Sequence, residues 1–590
     1  MEEKFMAEEE KIHSGEEAIA LEAKPALTSD EKKKQKNIGK NYLYNLAYNL
    51  FLIIVPLVVT PYLSRVLQND GIGINSFVLT INTYFTMFAS FGFGYYAQRE
   101  IAKHQGNKQR QSNTFWEIMF AKGLTSALSF GLYFLMTFTV PVLEVYRSYL
   151  LIYSCTILMI ALDTSFMFSG NEDFKQISLR TILVRTVEIA LVFIFVKKNT
   201  DLWIYVLIYS VGSLGNSIIL FPFLRKYLVK PNAFLPTRHF IPSLRLFIPA
   251  LATSLYSMLD KAMIGFLIPS SETMVEMNAY GQIVIKKVSE VQSGYYQQAD
   301  KIVRMLLTVI TALGSVMTPR NTELIRRGQE EEAKKNVMKS VRFVFFLGVP
   351  MALGLVAISR TFVPWFFGMG YQEVTLLMIV LSALILLAGL TSIFGMQYLI
   401  PKEKDTAFTI AAIAGALLNL GLNFLLIPHI GFLDPIMTTL FGPDARWGFG
   451  ANGAAWASIL AEAFVLFWQI WFVRKDFNWR EVFFSSWRSW IAGLTMAAVV
   501  IPLGFLLPYG KVENFPMWML ILVTFGVVLA GILVYGFMEW VLKDQMFFLA
   551  VRKIKEKAQK FLPKKKAAAA AAALPGDGAS AIDEKENKSE

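Results

Sequence analysis

Residues 515–541 read FPMWMLILVTFGVVLAGILVYGFMEWV and contain a single charged residue, Glu539. An α-helix rises 1.5 Å per residue, so a segment of this length crosses about 30 Å of hydrocarbon. Residues 373–400 and 146–170 have the same character. Because such segments follow one another with short gaps, the sequence predicts an all-α polytopic membrane protein.

We predict about fourteen membrane spans between Tyr42 and Trp540, each of roughly 20–28 residues. They are residues 41–67, 71–98, 113–140, 146–170, 174–196, 201–224, 242–268, 293–319, 340–367, 373–400, 405–428, 447–473, 486–508 and 515–541.

The composition is typical of a protein most of which lies within the lipid bilayer. Hydrophobic residues make up 54% of the sequence, charged residues 17%, and the mean hydropathy is +0.45. The lone cysteine, Cys155, excludes an internal disulfide, and the four histidines lie in the N-terminal tail or in connecting segments. No nucleotide-binding, metalloprotease or hydrolase motif is present in the sequence, so we expect a protein that is not an enzyme and has no cofactor or metal.

The basic residues indicate the orientation in the membrane. With a cytoplasmic N-terminus, most basic residues of the short loops lie on the cytoplasmic side, as between Arg320 and Arg342. The positive-inside rule then places both termini in the cytoplasm and requires an even number of spans. Because the basic residues are spread over many loops, nucleic-acid binding is a poor explanation of the +12 net charge.

An internal repeat relates the two halves of the chain. Gly73 and Arg99 bracket the second span as Gly294 and Arg320 bracket the eighth, with a constant offset of 221 residues. Spans 1–6 and 7–12 are therefore predicted to be two copies of a six-helix unit, related by an axis along the membrane normal. Spans 13 and 14 lie outside the repeat.

The predicted domains follow from this repeat. Residues 1–40 form a disordered cytoplasmic tail, 41–230 a first lobe, 231–480 a second lobe, 481–542 the two extra spans and 543–590 a cytoplasmic tail. A basic amphipathic stretch near Val551–Leu562 is typical either of a helix on the membrane surface or of a solvated tail.

Of the ionisable residues within predicted spans, where each costs about 2.5–3.5 kcal/mol on insertion scales, ten form the notable set. The basic ones are Lys122, Arg185, Lys261, Lys301 and Arg304, and the acidic ones are Asp163, Glu188, Asp260, Asp300 and Glu462. Together they predict a polar central cavity whose basic residues, drawn from both halves, suit a phosphate or diphosphate. Ion pairs formed only for folding are the alternative, because Arg185 and Glu188 lie three residues apart on one helical face.

Several motifs resemble those of the Wzx-type polysaccharide flippases of the multidrug/oligosaccharidyl-lipid/polysaccharide exporter superfamily. They are Thr60-Pro61-Tyr62-Leu63-Ser64-Arg65, Phe91-Gly92-Phe93-Gly94-Tyr95-Tyr96, Leu162-Asp163-Thr164-Ser165-Phe166, Gly294-Tyr295-Tyr296-Gln297-Gln298 and Gly450-Ala451-Asn452-Gly453. The resemblance covers about residues 40–480. Residues 274–292 depart from it as an apparent insertion, and both tails are long.

This resemblance implies two six-helix lobes around a cationic cavity, plus two extra helices. It implies a flippase of a bacterial cell membrane that moves an undecaprenyl-diphosphate-linked oligosaccharide from the inner to the outer leaflet by alternating access. Other implied partners are membrane lipids, a polysaccharide polymerase and glycosyltransferases.

On this reading the basic residues Arg185, Lys261, Lys301, Arg304 and Lys122 are the substrate-binding candidates. The acidic residues are expected to adjust the electrostatic potential at the basic residues or to bind a coupling ion. They are Asp163, Glu188, Asp260, Asp300 and Glu462. Transport is expected to be driven by an ion gradient or by the membrane potential. A peptidoglycan or teichoic-type precursor flippase, and then a multidrug cation antiporter of the same superfamily, are the alternatives. A polysaccharide polymerase or ligase would need a large outer loop that the sequence lacks.

Overall fold

The computed structural model describes residues 29–277, 283–368, 370–433, 447–480, 486–505 and 515–561, together with residues 439 and 484. The first half contains helices α1 Ser29–Ser90, α2 Phe93–Lys103, α3 Lys108–Thr139, α4 Arg147–Leu162, α5 Ser165–Gly170, α6 Phe174–Phe195 and α7 Leu202–Ile218. Residues 1–28 of the predicted N-terminal tail lie outside the described residues, and α1 begins inside that tail.

The second half contains α8 Phe240–Leu267, strands β1 Thr273–Met277 and β2 Ile283–Lys287, α9 Val288–Arg326, α10 Glu330–Phe366, α11 Gln372–Leu381, α12 Ala383–Ser392, α13 Asp405–Leu426 and α14 Gly450–Val473. A π-helical turn, Ile393–Leu399, extends α12. The last helices are α15 Trp487–Phe505, α16 Met517–Val541 and α17 Gln545–Phe561. Helix α17 covers most of the predicted amphipathic stretch, of which Leu562 lies outside the described residues.

The helical membrane architecture is confirmed. Eleven helical stretches of the described chain are long and apolar enough to cross a membrane. The first, Ile54–Lys103, covers two predicted spans, because the backbone of Gln68 is non-helical (φ 56°, ψ −174°) and divides α1. Helices α6 and α8 match two further predicted spans but are not among the eleven, so the number fourteen stays a prediction.

Two predicted spans are broken near one end. The second span bends at Phe91 and Gly92, whose positive φ angles of 45° and 76° separate α1 from α2. The fourth bends at Asp163, which ends α4 and whose Oδ1 accepts a hydrogen bond from the Ser165 amide at the start of α5. A side-chain acceptor at this point satisfies an amide that a helix start would leave without a partner.

The segment predicted as an insertion, residues 274–292, forms local structure. Strands β1 and β2 pair antiparallel with Thr273 opposite Lys287 and Met277 opposite Ile283, and α9 starts directly after β2. This hairpin is the one β structure within the described residues. The sequence did not predict it.

The two repeat glycines meet at the interface between the halves. A Cβ atom on Gly73 would lie 1.6 Å from the Glu290 carbonyl oxygen and 2.9 Å from the Gly294 nitrogen. A Cβ on Gly294 would lie 2.0 Å from the Asn69 oxygen. The absence of side chains therefore lets α1 and α9 approach to backbone contact, at positions that correspond in the repeat.

The connection between the halves is fixed to the first half by Glu117 of α3, which is 1% exposed. Its carboxylate accepts hydrogen bonds from the Leu235 amide at 2.9 Å and from the Arg238 guanidinium at 2.6 Å. His239 Nε2 lies 2.8 Å from the same carboxylate, and its Nδ1 lies 2.7 Å from the Tyr96 hydroxyl. Burial lowers the pKa of His239, although the Glu117 carboxylate opposes the shift.

Candidate functional site

Two predicted basic residues, Lys261 and Arg304, contact the buried carboxylate of a third predicted residue, Asp300. Lys261 Nζ of α8 lies 2.8 Å from Asp300 Oδ2 of α9, and Arg304 Nε lies 2.7 Å from Asp300 Oδ1. The Asp300 side chain is 1% exposed, whereas that of Arg304 is 41% exposed. One carboxylate thus positions two cations, and Arg304 is the member that reaches open space.

Lys301 extends this group toward the first half. Its Nζ donates to Thr60 Oγ1 of α1 at 3.4 Å, and among the described residues no carboxylate lies within ion-pair distance of it. We call Lys261, Asp300, Lys301 and Arg304 the cationic cluster. It contains three cations and one carboxylate, Asp300, which pairs with Lys261 and Arg304, so positive charge is in excess at a place where α1 and α9 meet. Such an excess attracts an anion strongly where water is scarce.

The other two predicted basic residues form separate pairs inside the first half. Arg185 Nη1 lies 2.6 Å from Glu188 Oε2 on α6, and its guanidinium stacks over the Tyr209 ring at 5.2 Å. Lys122 Nζ of α3 donates to the Asp163 carbonyl oxygen at 2.6 Å and lies 3.6 Å from Asp163 Oδ2. The described contacts do not join these pairs to the cationic cluster.

Asp260 precedes Lys261 but makes a network of its own. Its Oδ1 accepts hydrogen bonds from Asn419 at 3.0 Å and from Asn423 at 2.6 Å, both on α13. Its Oδ2 accepts from the Tyr296 hydroxyl at 2.5 Å and from the Ser458 hydroxyl. These four neutral donors satisfy a carboxylate that is 1% exposed and tie α8, α9, α13 and α14 together.

The sequence analysis missed these four donors because it considered only ionisable residues. A signal was present, since Asn419 and Asn423 lie one helical turn apart in an otherwise apolar span. Polar side chains at that spacing share a face and indicate a buried polar partner.

Glu462 of α14 is the most isolated of the predicted residues. It is 5% exposed, and no hydrogen bond or ion pair to it is found within the described part of the chain. It lies one turn after Ser458 on the same helix.

The β-hairpin closes the bundle at one end through Lys286, which is 5% exposed in its side chain. Lys286 Nζ lies 2.9 Å from Asp70 Oδ1 of α1 and 3.0 Å from Glu276 Oε2 of β1. It also donates to Asn69 Oδ1 at 2.7 Å, while Asn69 Nδ2 donates to Glu276 Oε2 at 3.1 Å. We call Asn69, Asp70, Glu276 and Lys286 the hairpin latch. It joins the two halves by buried charge.

An apolar cavity of about 500 Å³ borders α9 at Leu306. Its other walls are side chains of α10, α15 and α16. The helices outside the repeat thus form one wall of an apolar space against the helix that carries Asp300, Lys301 and Arg304.

Comparison with known proteins supports the resemblance. Residues 38–325 match the family model described as polysaccharide biosynthesis protein, a stretch from α1 to α9. The match covers just under half of the chain. The matched stretch includes all four residues of the cationic cluster, so the resemblance found in the sequence motifs is confirmed where the cluster lies.

Two curated relatives align with this chain over most of their own length. A putative O-antigen transporter of Escherichia coli (strain K12) is 25% identical over 394 residues, which is 66% of this chain and 89% of the relative. A putative O-antigen transporter of Shigella dysenteriae is 24% identical over 427 residues, which is 69% of this chain and 96% of the relative.

The fold of this chain is similar to that of a solved membrane protein. The structure of the lipid II flippase MurJ in an inward closed conformation aligns with a TM-score of 0.60 at 16% identity. The alignment covers 85% of this chain and 98% of the other. At this identity the similarity shows the fold alone.

Proposed function

We propose that this chain is a flippase that moves an undecaprenyl-diphosphate-linked oligosaccharide from the inner to the outer leaflet by alternating access. The observation that carries the proposal is the cationic cluster, where three cations and a single carboxylate lie at the interface of the halves. The match to the polysaccharide biosynthesis family model and the two relatives described as O-antigen transporters support the substrate class.

In this proposal the diphosphate binds to Lys301 and Arg304, with Lys261 beside them. A diphosphate needs several cationic donors, and an excess of positive charge in a space of low polarity supplies them. Arg304 is 41% exposed and Lys301 has no ion-pair partner among the described carboxylates, so both have donor capacity left. Arg185 and Lys122, which pair with Glu188 and Asp163, are proposed as contacts for the oligosaccharide or diphosphate at another stage of the movement.

The lipid tail is proposed to stay outside the polar region. The apolar cavity bordered by Leu306, α10, α15 and α16 supports this arrangement, because it offers a hydrocarbon-lined space against the helix that carries Arg304. A polyprenyl chain in that cavity keeps its hydrocarbon away from water while its head group reaches the cluster.

Alternating access requires that one end of the bundle closes while the other opens. The hairpin latch closes one end by sharing Lys286 between Asp70 of the first half and Glu276 of the second. We propose that this end faces the outside of a bacterial cell membrane and that both termini are cytoplasmic, in line with the positive-inside distribution. Glycosyltransferases and a polymerase are the proposed partners on the two sides.

The energy source is proposed to be an ion gradient or the membrane potential, acting on carboxylates inside the membrane. Asp260 and Glu462 are the leading candidates, because Asp260 collects four oxygen- or nitrogen-bearing side chains and Glu462 has no partner among the described residues. Asp163, Glu188 and Asp300 are proposed to tune the field through their ion pairs.

The test is reconstitution in liposomes with a fluorescent undecaprenyl-diphosphate oligosaccharide, followed by its accessibility to a membrane-impermeant quencher. Lys301→Gln is expected to slow exchange about 10- to 100-fold, the loss that follows removal of one hydrogen bond to a charged group of about 1.5–3 kcal/mol. Lys335→Gln, which removes an exposed lysine of α10, is the matched control.

Two further outcomes discriminate between functions. Exchange of a lipid-linked muropeptide but not of the oligosaccharide would assign the chain to peptidoglycan precursor transport. Exchange of neither, with cation-dependent efflux of a lipophilic dye, would assign it to drug export. Equal exchange by wild type and Lys301→Gln would remove the cationic cluster from the proposal.

A further inference from the structure

A second apolar cavity lies on the flank of the second half. It has a volume of about 660 Å³, within the range of ligand-binding pockets. Its walls come from α10, α12 and its π-helical extension, α14, the connection after α14 and the start of α15. We call it the flank cavity. Residues lining it include Leu387, Leu390, Ile470, Trp471, Trp479 and Trp490.

One cation and one hydroxyl lie on the otherwise apolar wall. Arg474, which follows α14, stacks over the Trp471 ring with its guanidinium carbon 3.8 Å from the centroid and donates to the Trp471 carbonyl oxygen at 2.9 Å. The guanidinium has five N–H donors, so most of them remain for a ligand. Among the described residues no carboxylate lies within ion-pair distance of Arg474.

Ser486 is the hydroxyl. It lines the flank cavity, is 2% exposed, and its Oγ has no hydrogen-bond partner within the described parts of the chain. A buried hydroxyl without a partner costs about 1–3 kcal/mol of free energy of folding. A ligand with a polar group at this point would supply the missing partner.

The electrostatic surroundings of the cavity mouth select an anion. The connection between α14 and α15 carries Arg474, Lys475 and Arg480. Its acidic residues are Asp476 and Glu481, and Asp476 is already paired, because Lys402 Nζ lies 3.0 Å from Asp476 Oδ2. The connection thus carries three basic and two acidic residues, a net positive charge at the mouth, while the interior takes hydrocarbon.

The position of the cavity separates it from the proposed transport path. Every described residue that lines it belongs to the second half or to α15, and the cationic cluster contributes none of them. Trp471 is 54% exposed and Phe467 61% exposed, which places the opening on the surface that faces lipid. Aromatic side chains beside an arginine are typical of the border between hydrocarbon and head groups.

We infer that the flank cavity binds an anionic glycerophospholipid of the surrounding bilayer. An acyl chain fills the apolar interior, the phosphate accepts hydrogen bonds from Arg474, and Ser486 donates to a phosphate or ester oxygen. The lipid fastens α15 to α10, α12 and α14. This inference does not rest on the proposed function, because the occupant is a resident lipid and not the transported one.

The test is native mass spectrometry of the purified full chain in detergent, mixed with equal amounts of phosphatidylglycerol and phosphatidylcholine. Wild type is expected to retain phosphatidylglycerol in preference. Arg474→Gln is expected to reduce that preference about fivefold, the contribution of one arginine near an anionic lipid surface. Arg480→Gln, on the same connection but not in the cavity wall, is the matched control and keeps the preference.

A second variant tests the interior independently of charge. Leu387→Trp fills the flank cavity and is expected to reduce the number of retained lipids by at least one. Leu417→Trp on the lipid-facing side of α13, where the leucine is 63% exposed, is its control. Size-exclusion chromatography verifies that each variant is folded. If Leu387→Trp does not fold, the Arg474→Gln measurement tests the inference by itself.

Three outcomes would overturn the inference. Equal retention of the two lipids by wild type would remove the anionic specificity. Equal loss in Arg474→Gln and Arg480→Gln would mean that the basic connection acts as a diffuse charge and not as a site. Displacement of phosphatidylglycerol by undecaprenyl phosphate at equal concentration would show that the cavity belongs to the polyprenyl carrier.

Discussion

Ser76 donates a hydrogen bond to Gln297 at 3.1 Å across the interface between the two halves. The two residues are 221 positions apart, the offset of the internal repeat, and they follow Gly73 and Gly294 by three residues each. Residues that correspond in a twofold repeat touch one another only near its axis. This contact therefore locates the axis between α1 and α9, where alternating access would have to separate the halves.

Linking Ser76→Cys to Gln297→Cys with a short bifunctional thiol reagent, in a Cys155→Ser background, is expected to slow leaflet exchange at least tenfold. A link across the axis prevents the halves from separating. The Asn113→Cys and Asn232→Cys pair, whose side chains lie 2.7 Å apart on the first-half side, is the control and keeps exchange. Full exchange by the linked Ser76 and Gln297 variant would contradict a movement at this axis.

Removing the cation of the hairpin latch is expected to open that end of the bundle. In Lys286→Gln the carboxylates of Asp70 and Glu276 lose their shared partner, and breaking a buried pair in this way costs about 3–5 kcal/mol. The measurement is the reaction of a membrane-impermeant maleimide with Ser293→Cys, where the serine is 1% exposed. We expect at least a tenfold faster reaction.

Lys287→Gln provides the control for this latch. Lys287 is the next residue; it contacts Glu290 at 3.6 Å and lies over the Tyr146 ring of the first half at 5.5 Å, but it forms no ion pair with a described residue of the first half. The maleimide reaction of this variant should match that of wild type. If both lysine variants react alike, the hairpin is not held closed by Lys286.

The pair of Lys402 and Asp476 makes stability depend on pH outside the membrane. Partial burial alone would raise the pKa of Asp476, but the hydrogen bond and charge of Lys402 outweigh it and hold the pKa below its ordinary 3.8. Asp476 therefore contributes stability that is complete above pH 3.8 and is lost as the pH falls through the lowered value.

We expect Asp476→Asn to lower the free energy of unfolding by about 1 kcal/mol at pH 7. Thermal unfolding in detergent should show this gap at neutral pH and a smaller gap as the pH falls below 3.8. The partner behaves in the opposite way: the pKa of Lys402 is raised from 10.5, because its hydrogen bonds to Glu330 and Asp476 outweigh partial burial, so its contribution is lost only above that pH. A stability difference between wild type and Asp476→Asn that stays constant down to pH 3 would contradict the role of the ionised Asp476 in this pair.

Glu462 is expected to connect transport to a proton gradient. A carboxyl that is 5% exposed in a membrane helix, without a described partner, changes charge only when water reaches it. In liposomes with an imposed pH gradient, Glu462→Gln should lose the response of leaflet exchange to that gradient. Glu373→Gln, an exposed change at the start of α11, should keep it. A response in Glu462→Gln equal to that of wild type would favour another ion.

Much of the architecture was predictable because lipid imposes a length and a composition on each span. Residues 340–367 and 405–428 were predicted within a few residues of the helices observed at one end or both. The breaks at Gly92 and Asp163 were not predicted, because hydropathy over a window does not register a change of backbone direction. Gly92 with its positive φ shows that a glycine between two phenylalanines was the local signal.

The candidate site was predictable as a set of residues and not as a geometry. Sequence separation brings Asp300, Lys301 and Arg304 close together, since they lie within two turns of one helix. The sequence does not indicate that Lys261 contacts Asp300, or that the neighbouring Asp260 instead accepts hydrogen bonds from α13 and α14. Those choices depend on how helices pack, and so does the contact of Lys286 with Asp70 across more than two hundred residues.

The hold of Glu117 on the connection between the halves has a mechanical meaning. A flexible connection after α7 would let the second half move independently of the first. The bonds of Glu117 to Leu235, Arg238 and His239 instead make the connection part of the first half. The attachment continues into α8, where Ser243 donates a hydrogen bond to the Phe91 carbonyl oxygen at 2.7 Å and the Phe247 ring stacks on that of Phe91. In the proposed alternating access, a rotation of the first half would carry the start of α8 with it, and the same helix bears Lys261 near its other end.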